Sequence, residues 1–347
     1  MRNFTLSGPG IVLAVPSKFA RALVVAGVSC SLMILAACGD DEPAATETAS
    51  PSASASATPT PTPTAPAVKP SSNFDKVSVT GKFGDPPTVK VDAPWAIDQT
   101  RTKVLQDSDG PAAAPGGSVS VNYYGVNART GKKFDDSFST GQPVSFNLAQ
   151  VVPGFRKGLE GQKQGSRVLI AIAGADGYDS SGGNPQIEVE VGDTLIFVVD
   201  LLGVQLSGPQ GTAVKPAAGL PAVTDEGGKP KVTIPAGDPP AKLRVQPLIK
   251  GTGAKVTEGD TIVMNYHWQT WSGRVLEETY SAQPAQTQVS GLLSGMVKGL
   301  VGQPVGSRVL IVIPPGADSY PEVNENPKVE KTDTLVMVVD ILFASTG

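Results

Sequence analysis

The chain has 347 residues, more than one ordinary domain, and a formal net charge of −4. No dense basic stretch accompanies that balance, so nucleic acid is excluded as a partner, and 40% hydrophobic residues exclude a multi-span membrane protein. The 39 glycines and 31 prolines favour short strands joined by turns over long helices.

The first element is a targeting segment. Arg2, Lys18 and Arg21 precede an apolar run over 22–37, whose close with the next residue reads Leu35-Ala36-Ala37-Cys38. A basic start, an apolar centre and small residues before a cleavage point make a secretory signal. The Leu-Ala-Ala-Cys ending resembles a bacterial lipobox, which predicts removal of 1–37 and lipidation of Cys38. The chain would then sit on the outer face of the bacterial cell membrane. Its two cysteines are Cys30 and Cys38, so the exported part folds without disulfides and carries no thiol nucleophile. Residues 38–72 are mostly Ala, Ser, Thr and Pro. They bury too little apolar surface to offset ordering entropy and are expected to be a disordered, rather extended tether.

The next elements are short. Val119, Val121 and Tyr123 alternate with polar neighbours, the period of a strand with one buried face. Thr130-Gly131 reads as a turn that brings the chain back through Phe134-Asp135. In the run VVPGFRKGLEG, Pro153 suits the first helical position and Gly161 the position just past the end, while Phe155 and Leu159 share a face. The closing strand places Leu195, Phe197, Val199 and Leu201 on one side. Antiparallel strands with one brief helix against one sheet face predict an α+β fold.

The pattern then recurs. GSRVLI at 165–170 returns at 306–311, GFRKGLEGQKQ answers to GMVKGLVGQPV, and DTLIFVVDLL to DTLVMVVDIL. A period of about 140 residues is that of a domain, not of a solenoid unit. The lead-ins agree too, Val91 and Pro94 falling opposite Val232 and Pro235. The expected divisions are 73–206 for a first domain with an N-terminal extension (core 118–204), 207–224 for a linker, and 225–347 for a second domain (core 261–343). Tyr266 is the counterpart of Tyr123, and a turn one residue shorter sets Leu276-Glu277 opposite Phe134-Asp135.

From the residues alone, Tyr123, Phe155 and Phe197 read as core aromatics and Asp135 as a turn or capping acid. His267, the only histidine, has no Cys, His or acid at ligand spacing, so neither a metal site nor a catalytic triad is expected. Trp268 and Trp271 read as caps on a core edge. As an ordered set, however, VNYYGVNARTGKKFDDSF, VVPGFRKGLEGQKQGSRVLI, GADGY and DTLIFVVDLL resemble the FKBP-type peptidyl-prolyl cis–trans isomerases. The resemblance implies two tandem domains, each a five- or six-stranded antiparallel sheet curled around a short helix, with a prolyl pocket between helix and sheet. It makes Asp135, Tyr178 and Tyr123 the catalytic set, and Phe134, Val151, Val152, Phe155 and Phe197 the substrate-binding set, with Asp136 solvated. No cofactor or metal is implied. The expected partners are folding exported proteins with Xaa-Pro bonds and, through the lipid, the membrane. The protein is expected to be monomeric.

The implied chemistry suits such a site. Xaa-Pro exchange is slow because rotation must overcome amide resonance, a barrier of roughly 18–20 kcal/mol. No bond is broken, so shape, an apolar wall and one positioned donor for the carbonyl suffice. Departures are visible as well. Ala173-Gly174 stands where the family usually has Pro-Pro, Val144 where an aromatic is common, and the loop over 179–192 is unlike the family's apolar loop. The second unit keeps Pro314-Pro315, Tyr266 and Tyr320 but has Leu276, Glu277, Met296 and Met337 for Phe134, Asp135, Phe155 and Phe197. Activity is therefore expected in the first domain and little in the second. The alternative is a chaperone-like or scaffold lipoprotein that binds proline-containing segments without turnover.

Overall fold

The computed structural model describes residues 68–319, 324–325 and 327–346. The signal segment, Cys38, nearly all of the tether, and Tyr320 lie outside the described residues. The described chain opens with a hairpin, β1 (Val77–Thr80) and β2 (Thr88–Val91). There follow β3 (Arg101–Gln106), β4 (Ser118–Asn127), β5 (Lys132–Asp136), β6 (Val144–Asn147), helix α1 (Pro153–Leu159), β7 (Arg167–Ile172) and β8 (Leu195–Val204). They form an antiparallel six-stranded sheet in the order β3-β7-β8-β4-β5, with β6 also on β4.

The expected local signals act as read. The turn after β4 has Gly131 at φ 70° with its amide bonded to the Asn127 carbonyl, a left-handed conformation that glycine adopts without steric cost. Helix α1 starts at Pro153, and Gly161 lies just beyond its end at φ 78°. The helix lies very close to β7. A Cβ on Gly154 would stand 2.2 Å from the Ile172 side chain, and one on Gly158 2.6 Å from Ile170. On this inner face Val119, Val121, Tyr123, Phe155, Leu159, Phe197, Val199 and Leu201 form one buried cluster.

The opposite face, expected to be open, is also covered. Val77, Val79, Val89 and Val91 of the hairpin, with Phe74, Trp95 and Ile97, pack on Leu169, Ala171, Ile196 and Val198. Both faces of β7 and β8 are thus apolar, as a strand buried on two sides requires. One charged pair interrupts that outer layer. Arg167 and Asp200, 1% and 0% exposed, form a bidentate ion pair. The hairpin adds two partners: Gly84 N–H donates to Asp200 at 2.8 Å, and the Arg167 guanidinium donates to the Asp85 carbonyl at 2.6 Å. Such partners offset the cost of burying the pair, and Arg167 Nη1 is the one nitrogen of the group left without a hydrogen bond among the described residues.

The second half repeats this plan with β9 (Thr212–Ala213), the hairpin β10 (Ala222–Glu226) and β11 (Lys229–Thr233), β12 (Arg244–Lys250), β13 (Asp260–Thr270), β14 (Val275–Glu278), β15 (Ala285–Gln288), α2 (Ser294–Leu300), β16 (Arg308–Ile313), a small pair β17 (Asn324–Glu325) and β18 (Lys328–Val329), and β19 (Leu335–Thr346). Its seven-stranded sheet runs β14-β13-β19-β16-β12-β9, with β15 on β13. The hairpin again covers the outer face, through Leu220, Val223, Val232 and Ile234. Arg308 and Asp340 repeat the buried pair, with Asp225 of the hairpin 3.1 Å from Arg308. Within 207–224, β9 joins β12, and the Gln210 amide bonds to the Gly306 carbonyl. Just before it, Leu206 N–H donates to the Leu342 carbonyl.

Candidate active site

The site in the first domain follows from strand alternation. Tyr123 points from β4 into the core, and its main-chain N–H is held by Ser137 Oγ at 3.0 Å, which itself bonds to Asn122. The β4–β5 hairpin then brings Asp135 beneath the ring, so that Tyr123 Oη donates to Asp135 Oδ2 at 2.8 Å. Phe134 lies across β4 at Gly125, where a Cβ would meet its ring at 2.7 Å. Gly125 faces Phe197 on the neighbouring β8, and the Phe134 and Phe197 rings meet edge to face at 5.5 Å.

Helix α1 supplies the next ring. Phe155, fully buried one turn into the helix, stands edge to face with Phe197 at 5.2 Å and with Phe146 of β6 at 5.6 Å. Such T-shaped pairs are the favoured geometry of aromatic quadrupoles. Val151 and Val152, at the helix entry, are partly exposed and pack on the same cluster, as does Phe134. Tyr178 follows β7 and closes the remaining side. All eight site residues expected on the fold therefore converge on one aromatic cluster with a partly open rim.

Sequence reasoning missed Phe146. Val144 stands where an aromatic is common, but Phe146 has the same strand parity and supplies the ring that packs 6.1 Å from Tyr123. Gly125 was missed as well, although the placement of Phe134 depends on it. The loop over 179–192 is unlike the family's loop in composition, yet it still packs on the site: Glu188 and Glu190 are exposed while Ile187 and Val189 are buried in the cluster with Tyr178. Asp136 is the other correction. Its side chain is only 5% exposed, paired with Lys133 and accepting the Ser139 amide at 2.6 Å, so it caps the turn after β5. Sequence spacing offers no way to tell that cap from a solvated acid.

Burial sets the electrostatics. It pushes the Asp135 carboxyl above its usual range, against the opposing hydrogen bonds from Tyr123 and the Asp136 amide. Tyr123 is raised too, by burial first and then by the Asp135 charge. The Tyr178 hydroxyl is buried and closes no hydrogen bond of ordinary geometry. Burial pushes its phenol up to about 12, with Asn184 opposing and Asp135 adding to the rise. Both phenols remain protonated donors at any physiological pH.

The second domain repeats the scaffold and alters the surface. The Tyr266 amide is held by Thr279 Oγ1 at 2.9 Å, which bonds to Asn265, as Ser137 and Asn122 do in the first copy. Trp268 occupies the place of Gly125, facing Met337 across one neighbour and Glu277 across the other. Its indole is buried among Met296, Met337 and Leu300, inside the core instead of at its edge. Trp271 does cap an edge, bonding to the Gly237 carbonyl. His267 bonds to Gln269 at 2.9 Å.

This doubled geometry has a counterpart among known proteins. The FKBP-type peptidyl-prolyl cis-trans isomerase family matches residues 110–202 and again 252–342. The chain belongs to that family. An FK506-binding protein of Streptomyces anulatus is 37% identical over 134 residues, 38% of this chain and 99% of its own. A probable FK506-binding protein of Corynebacterium glutamicum is 36% identical over 94 residues, covering 27% and 77%. Escherichia coli FkpA is 36% identical over 103 residues, 30% of this chain and 37% of its own. Among solved structures, the three FKBP domains of wheat FKBP73 cover 71% of this chain and 94% of theirs, at 16% identity and a TM-score of 0.32. As an FKBP, the protein is a peptidyl-prolyl cis–trans isomerase acting on proline-containing polypeptide.

Proposed function

We propose that the first domain carries the isomerase activity, with the ring cluster of Phe134, Phe155 and Phe197 as the prolyl wall, Tyr178 as donor to the substrate carbonyl, and Asp135–Tyr123 as the polar flank. The observation that carries this is a buried Tyr178 hydroxyl that closes no hydrogen bond of ordinary geometry, beside an edge-to-face aromatic set. Rotation about the imide bond destroys its resonance and reduces its dipole. An apolar wall solvates the planar, dipolar ground state less well than water does, which favours the twisted form. A fixed donor anchors the carbonyl while the rest of the chain turns. In the second domain the wall is methionine and leucine around a buried indole, soft and adaptable side chains without flat faces, and that domain contributes little turnover.

We further propose that the chain is exported and held at the outer membrane face through a lipid on Cys38, as a monomer acting on proteins that fold there and without a nucleic-acid partner. The basic-apolar-small order of the N-terminus supports this reading. Turnover is tested in the full chain by Xaa-Pro exchange with Phe155→Leu beside Met296→Leu. The first change is expected to lower kcat/KM at least roughly ten-fold, equivalent to about 1.4 kcal/mol, and the second to leave it nearly unaltered. Equal losses would assign activity to both domains. For the anchor, Cys38→Ser is expected to move the protein from the membrane fraction to the medium, and persistence in the membrane would sink that part.

A further inference from the structure

The loop that borders Tyr178 is tied down by a contact whose acid the second copy lacks. Asp179 Oδ1 accepts the Gly192 amide at 2.7 Å, joining the first residue of the loop to its last. The same carboxylate lies against Gly174, where a Cβ would stand 2.5 Å from Oδ1 and 2.6 Å from Oδ2. Between these ends the loop closes on itself. Gly183 N–H donates to the Tyr178 carbonyl, while Asn184 and Val189 exchange both of their main-chain hydrogen bonds. That closure directs Ile187 and Val189 into the cluster beside the Tyr178 ring.

The duplicated half serves as an internal comparison. Both copies pin the segment before the tyrosine to the helix by an ion pair, Lys157–Asp176 and Lys298–Asp318. The second copy keeps the Gly-Ala-Asp run, at 316–318, but has Pro321 for Asp179. A Cβ on Gly316 would meet no described atom within 4 Å, whereas any side chain at 174 would displace the Asp179 carboxylate. The close approach to the glycine therefore belongs to the copy that carries the acid.

We propose that Asp179 is a positioning residue for the isomerase site of the first domain, latching the loop 179–192 so that Tyr178, Ile187 and Val189 present one fixed wall to the proline-containing substrate. The inference rests on the assignment of Tyr178 to that site. The latch works as a hydrogen-bond acceptor, so an amide oxygen in its place retains the function, and its steric partner is the bare backbone of Gly174.

The test uses the full chain and measures kcat/KM for Xaa-Pro exchange together with protection of the Gly192 amide from hydrogen exchange. Asp179→Ala is expected to lower kcat/KM by roughly five-fold or more and to deprotect Gly192, and Asp179→Asn to restore both to within about two-fold, the scale of one net hydrogen bond. Gly174→Ala is expected to damage the unaltered chain but to add no further loss in the Asp179→Ala background. An alanine variant that keeps both readouts, an asparagine variant that falls as far as alanine, or additive losses with Gly174→Ala would each overturn the latch. Tyr178→Phe separates the two levels: no change on that substitution means the site assignment has failed, whereas a loss there with none at Asp179 condemns the latch alone.

Discussion

A buried hydroxyl that closes no hydrogen bond of ordinary geometry, such as that of Tyr178, costs the resting protein stability and is satisfied when a substrate carbonyl arrives. Tyr178→Phe should therefore reduce kcat/KM by roughly five- to ten-fold, the scale of one hydrogen bond to a developing dipole, while leaving thermal stability undiminished. A melting scan beside the exchange assay checks this, and a joint loss of both would show that the hydroxyl is structural. Asp135 gives a second opposition between stability and function. Its folded-state carboxyl titrates above its unfolded value because it is buried. Between those two values the folded state holds the extra proton, so stability falls as pH rises through that window and stays lowered above it. Asp135→Asn is accordingly expected to raise the melting temperature at pH 7, with the gain shrinking below the ordinary carboxylate range. A gain that persists unchanged in acid would point to packing instead. At this scale Tyr123, Phe134, Phe155, Tyr178 and Phe197 were legible because their order and spacing along the chain carry the resemblance. Phe146 and Gly125 were not, because one acts through strand parity and the other through the absence of a side chain.

The helix and its strand show how closely elements must approach for the rings to meet. Gly154 and Gly158 let α1 settle against Ile172 and Ile170, and Gly295 and Gly299 do the same for α2 against Ile313 and Ile311. Gly158→Ala forces that interface apart and is expected to cost about 1–3 kcal/mol, the usual penalty of overpacking. Urea unfolding of the variant measures it, and a change under a few tenths would mean that the helix can shift freely. The strand periods and both helix boundaries were readable from Pro153, Phe155, Leu159 and Gly161 and from the alternation in β4. The loop over 179–192 was not, because its composition is polar while only two of its side chains, Ile187 and Val189, enter the core cluster.

Across the whole molecule the sheet is a middle layer. A helix covers one side and a hairpin the other, with the Arg167–Asp200 pair joining hairpin to sheet. Replacing Arg167 by Ala strands a buried carboxylate, an arrangement expected to cost roughly 3–5 kcal/mol, and Arg308→Ala should do likewise in the second half. Calorimetry of the two single variants would assign each loss to its own transition. The outer layer was hard to foresee because β1 and β2 are four residues each and their Val-x-Val alternation is too short to rise above the background. Only the paired Val91-Pro94 and Val232-Pro235 hinted that the repeat begins so early. The family match opens at residue 110 in one half and 252 in the other, well after each hairpin. Both halves nevertheless carry the hairpin and tie it to the buried arginine, so the cover is part of each structural unit although the family match begins after it. Transplanting either half into another protein therefore calls for a cut ahead of its hairpin, at about residue 70 or 212, so that the graft arrives with no bare apolar sheet to hide.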